Sequence, residues 1–268
     1  NRPSYDGLVA YYPFEENTGS VTQNLARSFK VRDSGDGTLV NSPIRVAGKY
    51  GRALQFVNAS FQRVTVPAAS NLDTINLKPF TFLIWLTVSE IPIINSYRGI
   101  FGTEYNDGTR QGYNLWINQE TDNTIRLVSE RFRDGLADAV VYQVGSGGSL
   151  TEFTLNELVH IAVVLDGTNL KIYKNGIEKA TALATKLMKA SVDGITIGDR
   201  TLTGVSGWSG IGDEPMFYNR ALSAQEISDH FNGKITLDGC VGYWPFEEES
   251  GDAINKAPPM ANFFQVSD

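Results

Sequence analysis

Short apolar runs rich in β-branched and aromatic residues recur along the whole chain. Residues 80–86 alternate aromatic and aliphatic side chains, and residues 159–165 are almost continuously apolar, so both runs predict central strands. Asp166-Gly167 and Asn175-Gly176 tolerate positive φ and predict hairpin turns. Many short strands separated by such turns indicate a sandwich or barrel. Further strands are predicted at residues 8–12, 53–56, 63–66, 113–117, 125–128, 140–142, 170–173, 195–197 and 214–218.

One segment has the pattern of a helix. Ser223 is a good N-cap, and Glu226 three residues later completes a capping box. Ile227 and Phe231 are spaced by four residues and would form one apolar face, and Gly233 would end the helix. The sequence therefore predicts a short helix at residues 223–231.

Composition limits the choice of protein class. The chain has 268 residues, 41% of them hydrophobic, which suffices for one large core and an appendage. Its net charge is -7 and the sequence has no Lys/Arg block, so it lacks the cluster of basic residues that binding to nucleic acid phosphates requires. No apolar run reaches about 18 residues, so no membrane insertion is expected. The single cysteine, Cys240, excludes an intramolecular disulfide.

An internal repeat divides the chain. Residues 6–16 recur as residues 238–248, with tyrosine, proline and phenylalanine in register. The repeat predicts a first domain at residues 1–234 and a partial second repeat, or tail, at residues 235–268. Three roles are open for the tail: the start of a second domain, packing on the first domain, or donation to a neighbouring chain. The last role would give self-association.

Six segments in order resemble laminin-G-like domains of the concanavalin A-like lectin/glucanase superfamily. They include the opening strand at residues 7–16, the segment that follows it at residues 36–39, the Gly-Lys-x-Gly-x-Ala-Leu-x-Phe signature at residues 48–56 and the closing strand at residues 211–223. Residues 80–85 and 170–176 match the central strand and a hairpin of the family. The resemblance covers residues 7–232. It implies an all-β, antiparallel two-sheet jelly-roll sandwich with one short helix near the end of the domain.

The resemblance also implies a structural Ca²⁺ that joins the first strand to the last. Mapped onto this chain, the ligands are the Asp213 carboxylate and backbone oxygens of Phe14 or Glu15 and of Gly51. Oxygen ligands of this kind suit a hard cation. The alternative for Asp213 is an ordinary acid in a turn.

The middle of the chain supplies side chains suited to sugars. Aromatic rings stack on the apolar faces of sugars, and acids and arginines bind hydroxyls. Some of the aromatic side chains must belong to the core. Trp208, flanked by Gly207 and Ser209, is the least core-like tryptophan. The predicted ligand-binding residues are Tyr105, Tyr113, Trp116, Glu130, Arg131, Arg133 and Trp208, and further candidates nearby are Tyr97, Phe101, Phe132 and Tyr142.

Catalytic patterns are absent from the sequence. Glycanases of this fold carry a Glu-x-Asp-x-x-Glu triplet on one strand, whereas here arginines stand between Glu130 and Asp134. We therefore expect a non-catalytic module of a larger extracellular bacterial or phage protein, which binds a glycan or cell-surface polysaccharide. It would be located outside the cell or on a cell or virion surface. The alternatives are a structural or assembly module without a sugar site and a polysaccharide-degrading enzyme.

Overall fold

The computed structural model describes residues 7–25, 36–67, 79–103, 105–106, 110–133, 136–186, 194–200 and 206–233. In chain order the strands are β1 (Leu8–Tyr11), β2 (Val21–Thr22), β3 (Gly37–Val40), β4 (Ile44–Ala47), β5 (Arg52–Phe56), β6 (Arg63–Val66), β7 (Phe80–Leu86), β8 (Tyr97–Gly102), β9 (Tyr105–Asn106), β10 (Arg110–Gln119), β11 (Ile125–Arg133), β12 (Leu136–Ser146), β13 (Ser149–Leu150), β14 (Val159–Leu165), β15 (Asn169–Lys174), β16 (Ile177–Leu183), β17 (Ile195–Ile197) and β18 (Gly210–Tyr218). A single-turn 3₁₀ helix lies at Asn58–Ser60, and α1 spans Ala224–Phe231.

These strands form two antiparallel sheets, which confirms the predicted jelly-roll sandwich. An eight-stranded sheet has the order β16-β15-β14-β7-β18-β5-β4, with β1 also paired to β18. A ten-stranded sheet has the order β13-β12-β11-β10-β8-β17-β6-β3-β2, with β9 paired to β10. The predicted second repeat at residues 235–268 lies outside the described residues and stays a prediction.

The core fills the space between the sheets. Phe82 of the eight-stranded sheet stacks on Phe101 of the ten-stranded sheet, with ring centroids 4.5 Å apart. Tyr113 belongs to this core: its side chain is buried and its ring lies 4.5 Å from that of Phe80. The predicted sugar contact at Tyr113 is therefore wrong. Two-residue alternation on β10 turns Tyr113 inward with Leu115.

Trp208 is also a core residue, and the prediction that it binds a ligand at the surface is wrong. Its side chain is 1% exposed, and its ring lies 5.1 Å from the Phe56 ring. The indole Nε1 donates a hydrogen bond of 2.7 Å to the carbonyl oxygen of Thr87. This partner lets the only polar atom of the indole be buried without loss of hydrogen bonding. Small flanking residues had made the segment look like an exposed loop.

Arg131 forms a buried ion pair, so its predicted role as a ligand-binding residue is wrong as well. It faces inward on β11, and its Nε and Nη2 donate to Asp138 Oδ2 at 3.1 and 2.9 Å. Nη2 also donates to the carbonyl oxygens of Ala184 and Lys186. The backbone N–H of Lys186 donates to the same carboxylate oxygen at 3.0 Å. The pair thus fastens the chain after β16 to the sheet.

Helix α1 covers the outer face of the eight-stranded sheet. Both halves of the predicted capping box are present, since Ser223 accepts from the Glu226 N–H and Glu226 accepts from the Ser223 N–H. Ile227 packs with outward-facing side chains of the sheet. His230 Nε2 lies 3.0 Å from the Tyr218 hydroxyl oxygen, and the His160 ring lies beneath the end of the helix. His230 of the helix and His160 of β14 are therefore both buried where α1 meets the sheet.

Removing the partner of Arg131 should destabilise the protein strongly. We expect Asp138→Ala to cost about 3–5 kcal/mol of the free energy of unfolding, because it leaves a buried guanidinium without a counter-ion. The double variant Arg131→Met, Asp138→Leu removes both charges and should recover most of that loss. Urea unfolding of the three proteins checks this. Equal destabilisation of the single and double variants would contradict the expectation.

Acid should weaken the docking of α1. Burial is the main factor that lowers the pKa of His160 to about 3 and that of His230 to about 4. Between pH 6.5 and about 4 the unfolded chain binds protons at these two histidines that the folded chain does not, so the histidines contribute a slope by which the free energy of unfolding falls as the pH falls. His230→Gln should reduce this slope by at most about 1.4 kcal/mol per pH unit. Unfolding measured at several pH values tests it, and identical slopes in both proteins would refute it.

Candidate functional site

Two aromatic side chains form a corner on the outer face of the ten-stranded sheet. Two-residue alternation along β10 turns Trp116 outward, opposite to Leu115. The Tyr97 ring of β8 stands edge-on to the Trp116 ring, with centroids 4.8 Å apart and planes at 82°. Tyr97 is 43% exposed, whereas Trp116 is 6% exposed. Tyr97 is thus the accessible ring, and Trp116 forms the wall behind it.

Hydrogen-bonding side chains surround this corner. The Trp116 Nε1 donates to Glu130 Oε2 at 3.3 Å, which fixes the indole orientation. Asn118, two residues along β10, donates through Nδ2 to Glu120 Oε1 at 2.6 Å. Glu120 also forms an ion pair of 3.2 Å with Arg126. Aromatic surface beside acids, amides and arginines is the composition that sugar-binding sites require.

Arg200 lies on the other side of Tyr97. Its guanidinium carbon is 5.3 Å from the centre of the Tyr97 ring, and its Nε donates to Ser206 Oγ at 3.2 Å. A Cβ at Gly99 or Gly102 of β8 would collide with the Arg200 backbone. These two glycines therefore allow the segment around Arg200 to lie directly on the sheet, which brings a cation next to the aromatic corner.

The structure brings together only part of the predicted set. Trp116 and Glu130 meet on the outer face, while Tyr113, Arg131 and Trp208 lie inside the protein. The backbones of Tyr105 and Arg133 belong to β9 and to the end of β11, and their side chains lie outside the described residues. Tyr97 was one candidate among many, and Asn118 was missed. The alternation of Asn114, Trp116 and Asn118 with Tyr113, Leu115 and Ile117 was the signal that could have found them.

A second polar cluster lies on the outer face of the eight-stranded sheet. Asp213 of β18 is fully buried, and its Oδ2 accepts hydrogen bonds from the backbone N–H groups of Lys49 and Tyr50 at 2.7 and 3.3 Å. Its Oδ1 is buried without a hydrogen-bond partner among the described residues. The Gly-Lys-Tyr-Gly turn thus wraps the carboxylate and leaves one oxygen unpaired.

Two further acids approach Asp213. Glu15 follows β1, accepts from the Arg52 N–H at 2.9 Å and occupies the space where a Cβ of Gly51 would lie. Glu214 adopts φ 53° and accepts a hydrogen bond of 2.5 Å from the Tyr11 hydroxyl. The segments after β1 and before β5 therefore meet the closing strand at this point.

Burial disfavours the ionised form of the Asp213 and Glu214 carboxyl groups. Desolvation raises the pKa of Asp213 to about 7 and that of Glu214 to about 8, and the negative charge of Glu15 acts in the same direction. A cation bound here would remove both penalties. The unpaired Oδ1 of Asp213 and the nearby carboxylates of Glu15 and Glu214 fit a hard cation such as Ca²⁺.

The rest of the ligand set would have to come from the backbone. Among the described residues, no three histidine, cysteine or acidic side chains are placed to hold one metal ion together. The Gly51 carbonyl oxygen already accepts from the Gly48 N–H at 3.0 Å, and carbonyl oxygens have a second lone pair. Phe14 has φ 63°, a backbone conformation that is uncommon outside glycine and typical of functional sites.

Solved structures to which this fold is similar include binding domains of toxins and a sialidase. The chain is similar to the binding domain of Paraclostridial Mosquitocidal Protein 1, with a TM-score of 0.67 and 15% identity over 86% of this chain and 53% of that one. It is similar to the binding domain of botulinum neurotoxin DC in complex with SialylT, with a TM-score of 0.62 and 12% identity over 85% of this chain and 52% of that one. Trypanosoma rangeli sialidase gives a TM-score of 0.55 and 16% identity over 84% of this chain and 32% of that one.

This chain therefore spans about half the length of the toxin binding domains and a third of the sialidase. At these identities the likeness establishes the fold. No curated protein sequence is significantly similar to this chain. In the described part of the chain, no helix has both the length and the apolar character needed to cross a membrane. The family model of the concanavalin A-like lectin/glucanases superfamily matches residues 58–228, more than half of the 268 residues, and the chain belongs to that superfamily.

Proposed function

We propose that this chain is a non-catalytic glycan-binding module of an extracellular or surface protein, and that the glycan binds at the Tyr97–Trp116 corner. The observation that carries the proposal is an exposed aromatic ring set against a fixed indole, with Glu130 and Arg200 beside it. A ring of this kind offers a platform for the apolar face of a pyranose, and the polar groups offer partners for its hydroxyls.

The structural neighbours support a binding role. Two of them are binding domains of toxins, and one of these was solved with a sialylated ligand. The sialidase neighbours keep hydrolysis as the rival function, since one fold can carry both activities. A structural module without a sugar site is the other rival. Incubation with sialylated and neutral polysaccharides, followed by an assay for released sugar, separates hydrolysis from binding.

We further propose that Ca²⁺ bound at Asp213 stabilises the fold. The cation would be held by Asp213 Oδ1 and by backbone oxygens near Phe14 and Gly51, with Glu15 nearby as a source of negative charge. Its contribution would be to neutralise carboxylates that burial keeps from water, and so to tie the first strand and the Gly-Lys-Tyr-Gly turn to the last strand. This site lies on the opposite sheet from the aromatic corner, so its role is structural.

Tyr97→Ala should weaken glycan binding several-fold and leave the fold intact. The side chain is 43% exposed, so its loss removes the sugar platform without opening a cavity in the core. Loss of one stacking aromatic typically costs at least about 1 kcal/mol, or about fivefold in affinity. A glycan array identifies the ligand, and calorimetry on the best glycan then measures the change. Phe61→Ala is the matched control, because this aromatic is 48% exposed and lies off the outer face. Equal glycan affinity of the Tyr97 variant and the wild type would show that the glycan does not bind at Tyr97.

Calcium should raise the melting temperature, and Asp213→Asn should abolish the effect. At a concentration one hundred times the Kd, a bound cation adds about 2.7 kcal/mol to the free energy of unfolding. The asparagine keeps the size of the side chain and removes the buried charge, so in chelator this variant should melt no lower than the wild type. Glu178→Gln removes one charge on β16 and should keep the calcium response. A wild-type melting temperature that is the same in calcium and in chelator would disprove the site.

A further inference from the structure

Asn118 carries a buried acceptor that nothing in the described part of the chain satisfies. The side chain is 2% exposed and faces outward on β10, two residues from Trp116 and opposite Tyr97 in the strand register. Its Nδ2 donates to Glu120 Oε1, which identifies the other amide atom as the oxygen. That oxygen, Oδ1, is shielded from solvent and has no hydrogen-bond partner. A buried acceptor without a partner costs free energy, so its persistence beside a binding surface suggests that a ligand completes it.

The surroundings of Asn118 restrict the chemistry of that ligand. The atom that meets Oδ1 must be a hydrogen-bond donor, since a carbonyl side-chain oxygen only accepts. An apolar group next to this donor is favoured, because Tyr97 lies opposite Asn118 in the strand register and its ring stands at 82° to the Trp116 ring. The Glu120 carboxylate accepts from the same amide, which disfavours an anionic group next to Oδ1.

We infer that this corner recognises an acetamido group of a sugar, with the amide N–H donating to Asn118 Oδ1 and the methyl group packed between Tyr97 and Trp116. The inference rests on the proposed glycan-binding function and specifies its ligand. An acetamido group places an N–H donor and a methyl group two bonds apart on one uncharged substituent, whereas a hydroxyl supplies the donor alone. Asn118 is then a specificity-determining residue.

Tyr97 would control access to Asn118. Oδ1 has no contact with solvent, and Tyr97 is its exposed cross-strand neighbour. A rotation of the Tyr97 side chain about χ1 would admit the substituent, and the ring would then cover the methyl group. The N-acetylhexosamines and the sialic acids both carry acetamido groups, so the chemistry is shared by two classes of glycan.

The test compares ligands that differ in the donor only. Calorimetry on the full chain would use the methyl glycoside of an N-acetylhexosamine and its 2-O-acetyl counterpart, in which an ester oxygen replaces the N–H. We expect the amide to bind about tenfold more tightly, the effect of one hydrogen bond to a buried acceptor. In Asn118→Leu the two ligands should bind equally. Gln143→Leu, an exposed residue on the same face, should keep the tenfold ratio.

A second pair of ligands identifies the source of the acetamido group. The affinity of 3′-sialyllactose is compared with that of lactose, which lacks the sialic acid. It is then compared with that of a 3′-sialyllactose analogue in which a hydroxyl replaces the 5-acetamido group. Preference for the acetamido form in either series supports the inference. Glycan binding that ignores the acetamido group in both series overturns the inference and leaves the proposed function standing. Absence of binding to any glycan on the array overturns both. The comparison between ligands uses the wild-type chain, so it holds even if Asn118→Leu fails to fold.

Discussion

The pairing of β18 with its neighbours is the constraint on which the rest of the fold depends. β18 pairs with β7 along one side, and with β5 and β1 along the other, so it joins both ends of the described domain. Its register shifts between Asp213 and Met216. A strand without this irregularity would turn Phe217 outward and Tyr218 inward. The shift keeps Phe217 in the core, Tyr218 beneath α1 and Asp213 under the Gly-Lys-Tyr-Gly turn.

Elements with a strong local pattern could be predicted from the sequence. The strands at residues 63–66, 80–86, 159–165 and 195–197 have the predicted bounds, because each is buried on at least one face and its apolar pattern ends at turn residues. The helix after Ser223 followed from its capping box. β8 and β16 were missed for a physical reason: β8 contains two glycines that the Arg200 segment requires, and β16 is an edge strand with mostly exposed side chains. In both strands, therefore, the apolar alternation that identifies a strand in a sequence is weak.

The candidate site was less predictable, because it depends on which face each side chain occupies. Trp116 and Tyr113 belong to the same strand and differ in chemistry very little, yet three positions along a strand place them on opposite faces. Arg131 has the composition of a ligand-binding residue, but its partner Asp138 is reached only when β11 and β12 pair. Trp208 looked exposed because its neighbours are small, while the groups that bury it come from β5 and from the end of β7.

Three polar side chains of the core are paired within the protein, whereas each candidate site contains a buried acceptor that is not. Inside the sandwich, Trp208 donates to Thr87, Arg131 is paired with Asp138, and the Tyr113 hydroxyl accepts from Ser129. These bonds are formed whether or not a ligand is present, so the cost of burial is offset in the protein by itself. On the outer faces, Asp213 Oδ1 and Asn118 Oδ1 have no such partner within the part of the chain that the structure describes. Both belong to side chains whose other polar atom is firmly bound, by backbone N–H groups at Asp213 and by Glu120 at Asn118. Each side chain is therefore held in place with one acceptor unused, and such an acceptor gains most from a group that arrives from outside: a cation at the carboxylate and a neutral donor at the amide.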